Sequence, residues 1–270
     1  MPELPEVETT RRGIAPHLLG RRITGVVVRD ARLRWPVPTD LAAALTGQRV
    51  RDVRRRGKYL LLDCTDGTLI LHLGMSGSLR VVPRGLTPGP HDHLDIEVGD
   101  AVLRLRDPRR FGSVHWTVAD PEAHPLLAQL GPEPLERGFD GDCLHGAARR
   151  RRVSVKTLLM DSRVVVGVGN IYANEALFRA GIRPGRRCDR LTREECRRLA
   201  VTVRSVLAQA VEQGGTSLRD FVREDGRPGY FVQELKVYGR GGLACRTCGT
   251  TLKETRQGQR TTVYCPRCQR

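Results

Sequence analysis

The sequence predicts an α+β chain of several domains: an N-terminal β-sandwich with flanking helices, a helical domain, and a small C-terminal metal ribbon. Three observations carry this. Short segments of strand texture crowd together between about Arg22 and Val118. Beyond Gly131-Pro132-Glu133-Pro134 the pattern turns helical, and four of the eight cysteines fall in the last thirty residues. Many closely spaced strands without intervening helices suit a sandwich rather than βαβ units.

Residues 1–20 open with a helix signal: Pro5 suits a first turn, Glu6 and Glu8 suit its positive end, and Val7, Ile14 and Leu18 share a face before Gly20. Strands are expected at Ile23–Val28, Tyr59–Asp63, Thr68–Leu73, Leu94–Val98 and Val102–Arg106, with turns at Asp66-Gly67 and Gly99-Asp100. The Gly-Pro-Glu-Pro stretch reads as a domain boundary. Helices are then expected over roughly 140–147, 153–160, 170–180 and 192–213, the last stopped by Gly214-Gly215, and a loop over 216–234. The expected division is a sandwich domain at 1–132, a helical domain at 133–234 and a ribbon at 235–270.

With 39% apolar residues the chain can bury a real core, and no run of eighteen apolar residues marks a membrane span. The acidic opening MPELPEVE lacks the basic-then-apolar layout of a secretory signal, so a soluble cytoplasmic protein is expected. The net charge of +16 points to a polyanion partner, and nucleic acid is the usual one. Only four of the 46 basic residues are lysine: Lys58, Lys156, Lys236 and Lys253. A lysine retained in so arginine-rich a chain is informative, because lysine can give up a proton at neutral pH once its pKa is lowered and arginine cannot. Aromatic residues, at 4%, are too few for a base-stacking single-strand binder.

The strongest motif is Cys245-x2-Cys248-x16-Cys265-x2-Cys268. Two CxxC knuckles at this separation have the spacing of a four-cysteine zinc site, and four protein ligands leave no open position for a reactant. One structural zinc is therefore expected, and Arg256, Arg260 and Arg267 make the ribbon basic. The second motif is Met1-Pro2. Methionine removal leaves proline as a free secondary amine, and attack of that amine on an aldehyde-like carbon gives a cationic iminium, an electron sink like a Schiff-base lysine.

The run Pro2-Glu3-Leu4-Pro5-Glu6-Val7-Glu8-Thr9 resembles the opening signature of the formamidopyrimidine-DNA glycosylase family. Further resemblances follow in family order. Arg56-Gly57-Lys58-Tyr59-Leu60-Leu61 is similar to the family's lysine segment and His72-Leu73-Gly74-Met75-Ser76-Gly77 to its wedge loop. His91-Asp92-His93 is similar to a backbone-binding turn, and Asp107-Pro108-Arg109-Arg110-Phe111-Gly112 to an intercalation loop. Val166–Ala173 resembles the turn of a helix-two-turn-helix motif, and Asp225-Gly226-x-Pro228-Gly229-Tyr230-Phe231 part of a lesion-covering loop.

The resemblance implies a bacterial base-excision enzyme, a DNA glycosylase and abasic-site lyase acting as a monomer on double-stranded DNA that contains oxidised purines. Pro2 is implied as the nucleophile at the sugar C1′, Glu3 as general acid, Lys58 as the proton donor in β-elimination and Arg260 as the partner in δ-elimination. A base inside a duplex is reached only by flipping. Met75, Arg109 and Phe111 are implied to fill the gap, apolar side chains entering the stack and arginine bonding the orphaned base. His91, Arg110, Arg151, Lys156 and Asn170 are implied DNA contacts. Asn170 is expected to cap the following helix, leaving backbone N–H groups aimed at a phosphate. Two alternatives stand beside this reading: an enzyme resembling endonuclease VIII that prefers oxidised pyrimidines, and a non-catalytic zinc-ribbon DNA binder. The Glu3-Leu4-Pro5-Glu6 opening and the 216–234 loop favour the purine enzyme.

Overall fold

A computed structural model of the chain describes residues 2–214 and 235–270. Met1 and the loop expected over 216–234, with its Asp225-Gly226 motif, lie outside the described residues. The described residues fall into two compact units, one running to Ala128 and the other combining Gln129–Gln213 with the C-terminal segment.

The first unit opens with α1 (Leu4–Leu18), which buries Val7, Ile14 and Leu18 as the spacing predicts; Gly20 follows at φ +72°. Then come β1 (Ile23–Val28), α2 (Leu41–Leu45), β2 (Asp52–Arg56), β3 (Tyr59–Asp63), β4 (Thr68–His72), β5 (Ser78–Pro83), β6 (Asp92–Val98), β7 (Ala101–Arg106) and β8 (Ser113–Thr117). These strands make two four-stranded antiparallel sheets, ordered β1-β6-β7-β5 and β2-β3-β4-β8. Successive side chains of a strand point to opposite faces. Leu60 and Leu62 of β3, Leu69 and Leu71 of β4 and Val114 of β8 therefore share one core with Leu94 and Ile96 of β6, Leu103 and Leu105 of β7, and the buried face of α1. This is the expected sandwich.

Four elements escape the sequence reading: α2, β2, β5 and β8. Strand ends also shift by one or two residues. β4 stops at His72 rather than Leu73, β6 starts at Asp92 and β7 at Ala101.

The second unit contains α3 (Gly141–Arg149), α4 (Val155–Leu159), α5 (Asn170–Arg179), α6 (Arg193–Glu212) and the hairpin β9 (Lys253–Gln257) and β10 (Arg260–Tyr264). The helix starts are written locally. The Asp140 carboxylate accepts from Cys143 N–H at the head of α3, and Thr192 and Glu195 form a reciprocal box at the head of α6. The ribbon core consists of Val237, Leu252, Val263, Cys245 and Cys265 packed on Phe178 of α5. Among the described residues, no helix is long and apolar enough to cross a membrane.

Candidate functional site

In the first unit, Pro2 and Glu3 precede α1 and both are buried. Glu3 stands at the helix N-cap, and its N–H donates to Glu6 Oε2 at 2.8 Å. Glu6 thus satisfies a backbone donor that a helix start leaves open. One turn on, Glu8 accepts from Arg11 and Arg12 and lies 3.3 Å from Arg55 Nε on β2. Burial raises the Glu8 carboxyl, but these guanidinium bonds outweigh it and hold the group below its ordinary value. Arg55 Nη1 also donates to the Gly57 carbonyl at 3.0 Å, tying α1 to the residue before Lys58.

Lys58 occupies the two-residue turn between β2 and β3. The turn needs a positive φ, and Gly57 supplies it at +59°. The β3–β4 register sets Tyr59 opposite His72, and their rings lie 4.8 Å apart. Gly74 N–H donates to His72 Nδ1 at 3.0 Å, so this nitrogen is an acceptor and the ring proton sits on Nε2. Burial, with the nearby charges of Lys58 and Arg34, pushes the His72 pKa down to about 4 despite the opposing pull of Asp107. A neutral imidazole beside a lysine is the form that can donate from Nε2. The sequence reading places His72 in a motif but does not select it; the pairing of β3 with β4 is the signal that could have.

The turn after β4 carries Met75, and the turn between β7 and β8 carries Arg109, Arg110 and Phe111. Arg109 stacks over the Phe111 ring at 4.9 Å, and Phe111 is 43% exposed, unusual for a phenylalanine with a core available. The two turns meet backbone to backbone: a Cβ added at Gly74 would lie 2.4 Å from Gly112 N and from Phe111 C. Met75 is half-buried beside them. His91 is exposed with φ +74°, and Arg110, at φ +57°, pairs with Asp30 at 3.3 Å. Left-handed backbone at two non-glycine residues is uncommon and marks turns held by their surroundings.

In the second unit, Asn170 is the first residue of α5 and Gly169 is its N-cap, so the expected capping role is corrected. Asn170 Nδ2 instead donates to the Thr261 carbonyl at 3.1 Å, and its buried Oδ1 has no hydrogen-bond partner. Lys156 also departs from expectation. It is 1% exposed and donates from Nζ to Thr261 O at 3.0 Å and to Thr262 Oγ1 at 2.6 Å. A buried ammonium needs such acceptors, and two of them belong to β10. Arg260 is exposed at the start of that strand. Arg151 is partly exposed, donating to Ala147 O at 3.0 Å with Asp161 4.0 Å away.

The sulfurs of Cys245, Cys248, Cys265 and Cys268 lie within 4.8 Å of one another, with Cys245–Cys268 at 4.0 Å and Cys248–Cys265 at 3.5 Å. Tetrahedral zinc with Zn–S near 2.3 Å requires sulfurs about 3.8 Å apart, so the set fits one structural ion. Among the described residues no other group of three or more His, Cys, Asp or Glu side chains could hold a metal, His91-Asp92-His93 included.

Comparison with known proteins agrees with this geometry along the whole chain. Residues 1–114 match the formamidopyrimidine-DNA glycosylase N-terminal domain, 130–222 the H2TH domain of the same family, and 242–270 the zinc finger found in FPG and IleRS. The formamidopyrimidine-DNA glycosylase of Methylococcus capsulatus is 62% identical and that of Alkalilimnicola ehrlichii 61%, each alignment covering 100% of both chains. The crystal structure of the MutM (Fpg) protein from Thermus thermophilus is similar at TM-score 0.89 and 42% identity, over 99% of this chain and 98% of that one. The Lactococcus lactis Fpg in complex with DNA containing an abasic site is similar at TM-score 0.91 and 32% identity, over 99% of each chain. The chain is a member of the formamidopyrimidine-DNA glycosylase family.

Proposed function

We propose that the chain excises oxidised purines, 8-oxoguanine and formamidopyrimidines, from double-stranded DNA and then cuts the strand, with Pro2 as nucleophile. The observation that carries the reading is the head of α1: a proline that is N-terminal once Met1 is removed, followed by a buried glutamate and tied through Glu8 and Arg55 to the turn bearing Lys58. The glycosylase activity and the DNA partner follow from the family. The residue roles are our assignment.

The Pro2 amine forms a bond to C1′ as the bond to the damaged base breaks, the base leaving with the proton the amine gives up; Glu3 then protonates O4′, and the C1′–O4′ bond opens to leave the iminium. The resulting iminium acidifies the C2′ proton; its loss expels the 3′ phosphate, with Lys58 as proton donor, and Arg260 assists departure of the 5′ phosphate. Met75, Arg109 and Phe111 occupy the space the flipped nucleotide leaves. His91, Arg110, Arg151 and Asn170 contact the DNA backbone, and we add His72, whose Nε2–H suits a phosphate oxygen. Lys156 we assign to holding the strand that carries Arg260 rather than to DNA. The four cysteines hold zinc, which fixes the ribbon and takes no part in the chemistry. The protein acts in the bacterial cytoplasm on nucleoid DNA.

The purine reading is tested by base release from matched duplexes carrying 8-oxoguanine or an oxidised pyrimidine. Release of 8-oxoguanine should be at least about tenfold faster, a difference of roughly 1.4 kcal/mol in transition-state binding. The reverse order would favour the endonuclease VIII-like alternative.

A further inference from the structure

Asp107 is fully buried, and no role in the chemistry has been given to it. Its contacts reach three separate turns. Its carboxylate accepts from Ser76 Oγ at 2.9 Å, next to Met75, and from the backbone N–H groups of Gly112 at 2.7 Å and Arg109 at 3.3 Å, which bracket Phe111. Its backbone N–H donates to the His91 carbonyl at 3.0 Å, and its own carbonyl accepts from His93 Nε2 at 2.8 Å and from Arg110 N–H at 3.2 Å. A carboxylate removed from water is costly unless donors surround it, and charge-assisted bonds are the strong ones. Here every donor to the side chain comes from the two turns that carry Met75, Arg109 and Phe111. These are the turns that Gly74 lets approach backbone to backbone.

We propose that Asp107 is a positioning residue for base extrusion: its carboxylate locks the Met75 turn to the Arg109–Phe111 turn, so that the side chains entering the duplex move as one rigid wedge. The proposal rests on the glycosylase reading above. A wedge whose parts shift independently pays for ordering at the moment of insertion, whereas a clamped one is already in place. Asp107 touches neither base nor sugar in this scheme, so the bond-making at Pro2 is left intact when the clamp is loosened.

The test is Asp107→Asn, which keeps the shape but sets an amide where one of two acceptor oxygens stood. Excision of 8-oxoguanine from paired duplex should fall on the order of 10- to 100-fold, the scale of a lost charge-assisted hydrogen bond. Cutting at a preformed abasic site, which has no base to unstack, should fall less than about threefold. Asp107→Asn combined with Phe111→Ala should lose less excision than the product of the two single losses, because both weaken the same wedge. Ser76→Ala, which removes a single arm, should move the ratio of the two activities in the same direction by a few fold. Equal losses on both substrates, or additive losses in the double variant, would make Asp107 an ordinary structural residue and overturn the proposal. If Asp107→Asn does not fold, Ser76→Ala decides, and a wild-type ratio in that variant also overturns it. Borohydride trapping of the wild-type protein on the abasic duplex keeps the two levels apart. No adduct would sink the glycosylase-lyase reading itself, whereas a normal adduct with an unchanged ratio sinks only the role of Asp107.

Discussion

Met75, Arg109 and Phe111 ride on turns between strands of two four-stranded sheets, above one core to which both sheets and α1 contribute. Arg260 starts the second strand of a two-stranded hairpin whose core is five ribbon residues and Phe178. An isolated hairpin of that size is marginal in water. The difference shows in what fixes each region. The sandwich turns are set by strand register and by one buried carboxylate. The ribbon is set by four thiolates and by polar side chains reaching from the helices. Glu175 of α5 accepts from the N–H groups of Lys236, Val237 and Tyr238, each at 2.9 Å, Asn174 Oδ1 accepts from Val263 N–H at 2.9 Å, and Lys156 holds Thr261 and Thr262. Where apolar area is plentiful, strand register and a single buried carboxylate suffice to place the working residues; where it is scarce, metal ligation and several buried polar bonds do so.

Removing the metal should give the largest effect. In Cys248→Ser, zinc content should drop to near zero, because the apparent binding free energy of such sites, about 10–16 kcal/mol, is also the folding energy of the segment. Duplex affinity should fall at least about tenfold, while amide-exchange protection of the sandwich strands stays at the wild-type level. Loss of protection in β3 and β4 would show that the two regions are not independent.

The converse substitution is Leu103→Ala, in the sandwich core and 1% exposed. Truncating a buried leucine costs about 2–5 kcal/mol, so the unfolding midpoint of the first unit in denaturant should drop while the native protein keeps its zinc. Zinc loss under native conditions would contradict the separation drawn here.

The third effect is smaller and concerns pH. Burial holds His72 near 4, below the ordinary 6.5, and burial also lowers His115 and His124. In the window between these values the unfolded chain binds more protons than the folded one, so stability falls as pH falls from about 6.5 towards 4. A melting series should show this slope, and His72→Gln should flatten it in part, His115, His124 and, towards pH 4, the depressed carboxyls of Glu8 and Glu195 supplying the rest. An identical slope in the variant would mean that His72 is not the buried neutral base described.

The sandwich was legible because continuous apolar runs, Leu60-Leu61-Leu62 and Leu69-Ile70-Leu71, mark β3 and β4, and apolar residues alternating with charged ones mark β6 and the end of β7. By contrast β2, with the sequence Asp-Val-Arg-Arg-Arg, has a single apolar residue, and its strand state comes from pairing with β3. The five residues of α2 are too short for helical periodicity to register. Of the candidate site, the cysteines were legible because ligand chemistry fixes their spacing, and the turn residues because of their resemblance to family motifs. Lys156 was not, since a lysine in a basic chain looks the same whether its ammonium faces a phosphate or a strand carbonyl. Asp107 hid for a related reason: its importance lies in how many donors converge on it, and those come from positions 76, 109 and 112 only after folding.

The central claim is that the bond to DNA is made by the amine of Pro2. Borohydride reduction during reaction with an 8-oxoguanine duplex, followed by mass-spectrometric mapping of the attachment residue, tests it directly. The adduct should map to Pro2. Pro2→Gly should weaken both base release and strand cutting while leaving duplex affinity nearly unchanged, and retention of Met1 should abolish the adduct because an amide nitrogen is not nucleophilic. An adduct on Lys58, or strand cutting at the normal rate with Met1 in place, would contradict the account.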